Sequence, residues 1–332
     1  TYDQQLANPF IRGSLIEFTT EAGRAYWKWV AAGRKYQLGQ RWLDLALERN
    51  DRIESRVKAQ DLDPPELIDN ERAIAKRQSK LADSLRIVEQ SAQKLSVYLR
   101  DESGRPWVPD LDRIPPFPDL LDVDPAEVGL DVIRARQNRP ELESLNLKLR
   151  QLQVDYAEAC NLTRPQLDAQ LTGSQDVGEP TSSKRDKSEF EVEAGLYFEV
   201  PVQQRKGRGK MHAVQAKMAQ VGAKRRLVND KIAAEVQAAY AGLIRTREAA
   251  IKAEEAADLA DQMADIERRK FELGESDLLK VALREQYALE AAEEQVEAEM
   301  KHFMTFSEYA AALGIDQPSV ALVTAESLDE LP

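Results

Sequence analysis

Two hydrophobic periods run along the chain. Over most of its length apolar residues return every three or four positions, which marks one face of an α-helix. After Pro165 they return at every second position, which marks a strand. Leu145, Leu149, Leu152 and Tyr156 show the first period, in a run that opens at Arg139-Pro140-Glu141-Leu142 and carries to about residue 162. The same period predicts helices over 16–59 and from the Pro64-Pro65 pair to about 99, and again over 209–273 and from 277 to 313. Paired prolines cannot sit inside a helix, although one is well tolerated at the first helical position. Gly274 suits a left-handed helix end, and Ser276 or Asp277 suits the cap of the helix that returns.

The two predicted hairpins are copies in register. Shifted by 214 positions, residues 21–99 lie on 235–313 without a gap. Ala25-Tyr26 then falls on Ala239-Tyr240, Leu45-Ala46 on Leu259-Ala260, and Asp63, Glu71 and Leu99 on Asp277, Glu285 and Leu313. The ascending helix of the second copy runs to roughly 95 Å at 1.5 Å per residue, far beyond an average globular helix. Propensity alone does not hold such a helix, so it needs lateral packing. Its small residues Ala233, Ala239, Ala249, Ala253, Ala256, Ala257 and Ala260 suit a bundle or coiled coil. Between the copies, Asp- and Pro-rich sequence from 101 to about 125 breaks helix and is expected to wrap the outside of the bundle.

The strand period is strongest after residue 189. Phe190, Val192, Ala194, Leu196, Phe198, Val200 and Val202 fall on one face, with Glu189, Glu191, Glu193 and Glu199 on the other. A weaker alternation covers 166–172, and the polar Gly-, Pro- and Ser-containing stretch 178–187 between them reads as an exposed loop. About 9–11 tilted residues cross a bilayer core, so either a membrane-barrel hairpin or a one-sided soluble sheet fits. Context favours the barrel, because the hairpin interrupts very long helices and no other strands offer a sandwich partner. Residues 5–9, ending in Pro9, read as the close of an earlier strand, as Pro201 closes the later one. The first copy is then shortened relative to the second.

The reading divides the chain into a first hairpin repeat (1–101, N-terminally incomplete), a linker (102–138) and a second repeat (139–315), followed by a tail (316–332). The second repeat holds a β-hairpin at 165–202 and a helical hairpin at 209–314. The fold class is mainly α with a β-hairpin.

Composition narrows the chemistry. The 332 residues carry a net charge of −12, 42% hydrophobic and 31% charged residues but only 6% aromatics, a balance that suits long packed helices. An acidic chain without a clustered basic face is no general nucleic-acid binder. The lone Cys160 excludes an intrachain disulfide and reads as a small helix residue, and His212 and His302 are too far apart in sequence to suggest a zinc site. No metal and no cofactor is expected. There is no signal peptide and no apolar run long enough for a spanning helix, and the chain opens at Thr1, as if a leader were removed or an N-terminal part missing. Carboxylates on these helices read as solvated faces or partners of Lys and Arg, and packing or interhelical pairing accounts for the aligned Glu71 and Glu285. Gly207-Arg208-Gly209 follows a strand but lacks the rest of a nucleotide-binding pattern; its basic neighbours suit lipid headgroups or the strand-to-helix junction. No catalytic constellation emerges, and the chain is read as non-enzymatic.

Taken in order, several pieces resemble the TolC-like outer membrane efflux protein family: Arg139-Pro140-Glu141-Leu142, the strand start at Pro165 and the strand end Phe198-Glu199-Val200-Pro201-Val202. The basic stretch 204–210 and Phe271-Glu272-Leu273-Gly274-Glu275-Ser276-Asp277-Leu278-Leu279 complete the set. The resemblance implies a homotrimer whose long antiparallel hairpins form an α-barrel through the periplasm, continued by a twelve-stranded transmembrane β-barrel in the outer membrane of a Gram-negative cell. It also implies a periplasmic adaptor protein and an inner-membrane pump as partners. The hairpin tips, here Asp63, Pro64, Gly274, Glu275, Ser276, Asp277 and Leu278, would form the periplasmic entrance and meet the adaptor. The strand residues Phe190, Val192, Leu196, Phe198 and Val200 would face lipid. Family members carry two entrance-ring aspartates six and nine residues past the tip glycine, where this chain has Lys280 and Leu283; Asp277 with Asp63 offers a substitute ring, and capping is the simpler role for both. The alternative reading is a periplasmic coiled-coil adaptor or scaffold without a pore.

Overall fold

The structure, a computed structural model, describes residues 2–122, 125–177 and 190–316. Six α-helices and one antiparallel strand pair follow in the order α1 (Tyr2–Lys58), α2 (Pro64–Leu95), α3 (Val128–Asn138), α4 (Pro140–Asn161), β1 (Gln166–Ser174), β2 (Glu191–Glu199), α5 (Arg205–Glu272) and α6 (Leu278–Ala312). The chain divides into two compact units, Thr1–Pro9 with Glu141–Asn229, and Phe10–Pro140 with Asp230–Pro332. The loop expected at 178–187 and Glu189 lie outside the described residues, as does nearly all of the tail. Among the described residues no helix is long and apolar enough to cross a membrane.

In the larger unit the core is a seam between helices. Along α5 the buried residues Val236, Leu243, Ala250, Ala257 and Ala264 fall seven apart, and α6 answers with Val281, Ala288, Val296, Phe303 and Ala310. A seven-residue apolar repeat imposes left-handed coiled-coil packing, and alanine in that seam lets neighbouring helices close on one another. The seam differs in detail from the alanine face expected from sequence: Ala257 lies in it, but Ala249 and Ala256 are exposed.

The region from 101 to 122 is not a mere outer wrapping. Its Ile114 is buried, and its Phe117 stacks on Trp27 of α1 and Phe303 of α6, each at 5.8 Å between ring centres; Trp27 and Phe303 themselves stack at 4.5 Å. Such ring pairs add about 0.5–1.5 kcal/mol each beyond the area they bury. Any side chain at Gly33 would run into Ile114, so this glycine on α1 is what admits the linker.

In the smaller unit the C-terminal end of α4, the strand pair and the start of α5 are tied together. Gln204 donates from Nε2 to the Thr163 carbonyl at 3.1 Å, Lys210 pairs with Glu158 at 2.6 Å, and Gln215 donates to the Tyr156 hydroxyl at 3.2 Å. A Cβ on Gly207 would lie 2.6 Å from Cγ2 of Thr163. Close approach therefore explains Gly207, and α5 starts at Arg205 instead of waiting until 209 as the glycines suggested.

One sequence reading is overturned. Residues 5–9 are helix, and Pro9 sits inside α1, which begins at Tyr2 rather than near 16. An isolated extended segment leaves its backbone groups unpaired, whereas a helix satisfies its own and here forgoes only the one N–H that proline lacks.

Candidate membrane ribbon and hairpin tips

β1 and β2 pair antiparallel over nine residues each, from Gln166 opposite Glu199 to Ser174 opposite Glu191. Directly opposed residues share a face. One face therefore gathers Leu167, Ala169, Leu171, Val192, Ala194, Leu196 and Phe198, and the other Gln166, Asp168, Gln170, Thr172, Glu191, Glu193, Tyr197 and Glu199. Phe190 and Val200 flank β2 just outside the pairing, and Val202 lies further on. Neither face is covered by the described residues: Leu196 is 76% exposed, Phe198 69% and Leu171 76%. A two-stranded ribbon is marginal by itself in water, and each such side chain gains about 1.5–3 kcal/mol when removed from water. Among the described residues no further strand pairs with either outer edge. Such a ribbon is stabilised by an apolar cover on one face and water on the other.

The two hairpin turns share a backbone design at a spacing of 214 residues. Gln60 (φ 61°) and Gly274 (φ 77°) both adopt the left-handed conformation. Gln60 N–H donates to Val57 and Asp61 N–H to Arg56, at 3.0 and 2.9 Å; Gly274 N–H donates to Phe271 and Glu275 N–H to Lys270, at 3.1 and 2.8 Å. These bonds satisfy the last carbonyls of α1 and α5. Asp63 and Asp277 then occupy the N-cap positions of α2 and α6.

Only Asp277 caps with its side chain, accepting from Lys280 N–H at 2.8 Å and pairing with Lys280 Nζ at 2.9 Å. The Lys280 side chain and N–H hold the Asp277 carboxyl below its ordinary range, and Asp277 raises Lys280. Lys280 and Leu283 are both exposed, and Ser276 hydrogen-bonds Glu267. Pro64 opens α2 and is exposed, as are Asp63, Gly274 and Glu275. Leu278, expected among the contact residues, is only 4% exposed and points into the hairpin; the leucines offered outward are Leu273 and Leu279.

The interhelical pairing expected at Glu285 takes the form of a buried charge network. Glu285 of α6 is 1% exposed; its Oε1 accepts from Arg49 of α1 at 2.7 Å and its Oε2 from Arg77 of α2 at 2.8 Å. Arg49 also donates to Asn70 at 3.1 Å, Asn70 to Asn50 at 2.8 Å, and Arg77 to the Trp42 carbonyl at 2.6 Å. One carboxylate thereby joins three helices. Glu71, aligned with Glu285 in the first copy and expected to behave alike, is exposed instead. The neighbouring cleft, about 530 Å³, is lined by charges occupied with one another, among them Arg52 with Glu272 and Arg56 with Asp61, both at 2.9 Å.

A second buried polar group joins the linker to the helices. Leu121 N–H donates to Nε2 of His302 at 3.2 Å, and Nδ1 lies 3.4 Å from the Thr246 hydroxyl. That hydroxyl donates to the Gly242 and Leu243 carbonyls at 3.0 and 3.1 Å, so it can only accept from the ring, which places the proton on Nδ1. Burial, with Arg247 nearby, pushes the His302 pKa down.

No protein-family model and no curated protein matches the sequence. The solved structures do match. A membrane protein from Pseudomonas aeruginosa superposes with a TM-score of 0.78 at 15% identity, over 94% of this chain and 71% of that one. The outer-membrane channel OprN gives 0.73 at 15%, over 93% and 68%, and the outer membrane protein VceC from Vibrio cholerae gives 0.73 at 14%, over 95% and 74%. The fold is that of the TolC-like outer-membrane channels. At these identities the likeness is one of architecture, and it holds across nearly the whole chain.

Proposed function

We propose that the chain is a subunit of a passive outer-membrane exit duct, a homotrimer that works with a periplasmic adaptor and an inner-membrane pump. The two-faced ribbon carries this reading. Lipid covers its apolar face, and strands of neighbouring ribbons close its edges into a barrel, the only non-helical way to satisfy backbone groups in hydrocarbon. The face bearing Asp168, Glu191, Glu193 and Glu199 then lines water. The helical hairpins extend as an α-barrel through the periplasm. Their turns, with Asp63, Pro64, Gly274, Glu275, Ser276 and Asp277 and the outward Leu273 and Leu279, form the entrance and receive the adaptor. Lys280, held by Asp277, replaces an acidic ring there with a neutral pair.

Solutes cross such a duct without entering hydrocarbon. Such a duct is passive, and the energy for export comes from the pump. Opening of the entrance separates the tips, and export undiminished by cross-linking them shut contradicts that step. Oligomer mass and single-channel conductance of the purified chain in detergent test the whole proposal. A trimer with discrete conductance steps is expected. A monomer soluble without detergent and silent in bilayers contradicts it and favours an adaptor or scaffold without a pore.

A further inference from the structure

We infer that the base of the ribbon is a docking surface for the phosphates of anionic lipid headgroups, an inference that rests on the ribbon lying in a membrane. The surface is built from both flanks of the strand pair. Arg164 stands two residues before β1, and Arg205, Lys206 and Arg208 open α5 just after β2. Because Gln166 pairs with Glu199, the two flanks emerge at the same end of the ribbon. The Gln204–Thr163 hydrogen bond and the close approach of Gly207 to Thr163 hold them together there.

All four cations are exposed. Lys210 is paired with Glu158, which removes that acid as a counter-ion for the others, and Glu199 and Asp168 are the carboxylates of the polar face nearest this end. Arg208 donates to the Gln204 amide oxygen at 3.2 Å, a neutral partner. The local charge runs against that of the molecule: residues 205–226 hold eight Lys and Arg and no Asp or Glu, in a chain of net charge −12. Helix stability does not account for them either. The positive end of a helix dipole disfavours cations in the first turn, and Arg205, Lys206 and Arg208 all stand in it.

Membrane geometry does account for them. Nine strand residues at about 3.3 Å each, tilted by about 40°, rise about 23 Å, close to the apolar band of an outer-membrane barrel. With the ribbon across the hydrocarbon, Gln166 and Glu199 lie at its edge and the four cations lie among headgroup phosphates. Guanidinium groups match phosphate oxygens bidentately, and the aliphatic stems of Lys and Arg rest on the acyl boundary while their charges reach outward. An anionic leaflet strengthens association by about fivefold for each cation held near it.

Flotation of the full chain with phosphatidylcholine vesicles, and with vesicles in which about a third of the lipid is phosphatidylglycerol, tests this. At least a tenfold preference for the anionic vesicles is expected, weakening in high salt. The quadruple variant Arg164→Gln, Arg205→Gln, Lys206→Gln, Arg208→Gln should lose the preference and still float with neutral vesicles. The charge-preserving variant Arg164→Lys, Arg205→Lys, Arg208→Lys should keep it, with helical circular dichroism confirming that both fold. Equal flotation of the parent chain with both compositions, or a preference retained by the quadruple variant, overturns the headgroup surface while leaving the membrane ribbon intact. Failure to float with either composition overturns both.

Discussion

At the residue scale, the repeat predicts resemblance where the fold requires difference. Glu71 and Glu285 occupy equivalent positions in the two copies, yet one faces water and the other is held by Arg49 and Arg77. Removing one member of a buried ion network leaves its partners charged and unpaired, at a cost of about 3–5 kcal/mol, whereas exposed substitutions stay within about 0.5 kcal/mol. Glu285→Leu is therefore expected to lose about 3–5 kcal/mol in denaturant unfolding and Glu71→Leu almost nothing. No pattern of types and spacing distinguishes the two, because burial is decided by the helices packed alongside. His302 is a similar case: it looked like a stray histidine and proves to join α5, α6 and the linker. Its pKa is lowered on folding, so the unfolded chain binds the extra proton first as pH falls below the ordinary value of about 6.5. The stability it contributes is present above that value and is lost as pH falls towards the folded pKa. Arg247 on α5 and Asp122 of the linker, 3.6 Å apart, are charges nearby. Thermal unfolding at pH 7.5 and 5.5 should show a drop for the parent chain that shrinks in His302→Gln.

At the scale of elements, most of the architecture was legible. The 3.6-residue and 2-residue periods located both helical hairpins and both strands, and the turn chemistry located both tips. The errors share a cause, namely that local signals were read without the neighbour that sets their meaning. Pro9 signals a break, but no described strand lies ready to pair residues 5–9, so helix prevails. The helix expected from 209 starts at Arg205, and Gly207 within it serves close packing on Thr163. The linker prolines signal an outer wrapping, yet the apolar residues between them, Ile114 and Phe117, pack into the core. The turns themselves carry a prediction. Gln60 pays the steric penalty of a left-handed residue that Gly274 avoids, about 1–2 kcal/mol for an ordinary side chain and less the entropy glycine loses. Gln60→Gly should raise stability by about 0.5–1 kcal/mol, and Gly274→Ala should lower it by about 1 kcal/mol, both measured by thermal unfolding.

At the scale of the whole molecule, the ribbon exposes a full apolar face, with Leu171, Leu196 and Phe198 each at least 69% exposed. The alternation of Phe190 to Val202 was readable at once, but the identity of its cover was not, since lipid and a second protein layer impose the same period of two. Single cysteines placed along β2 in a Cys160→Ser background, in membranes, decide between them. The account predicts that cysteines at Val192, Leu196 and Phe198 resist a water-soluble maleimide and that fluorophores there are quenched by lipid-borne quenchers, while Glu193, Gly195 and Tyr197 label freely. Equal labelling of the two sets, without lipid quenching of either, contradicts it.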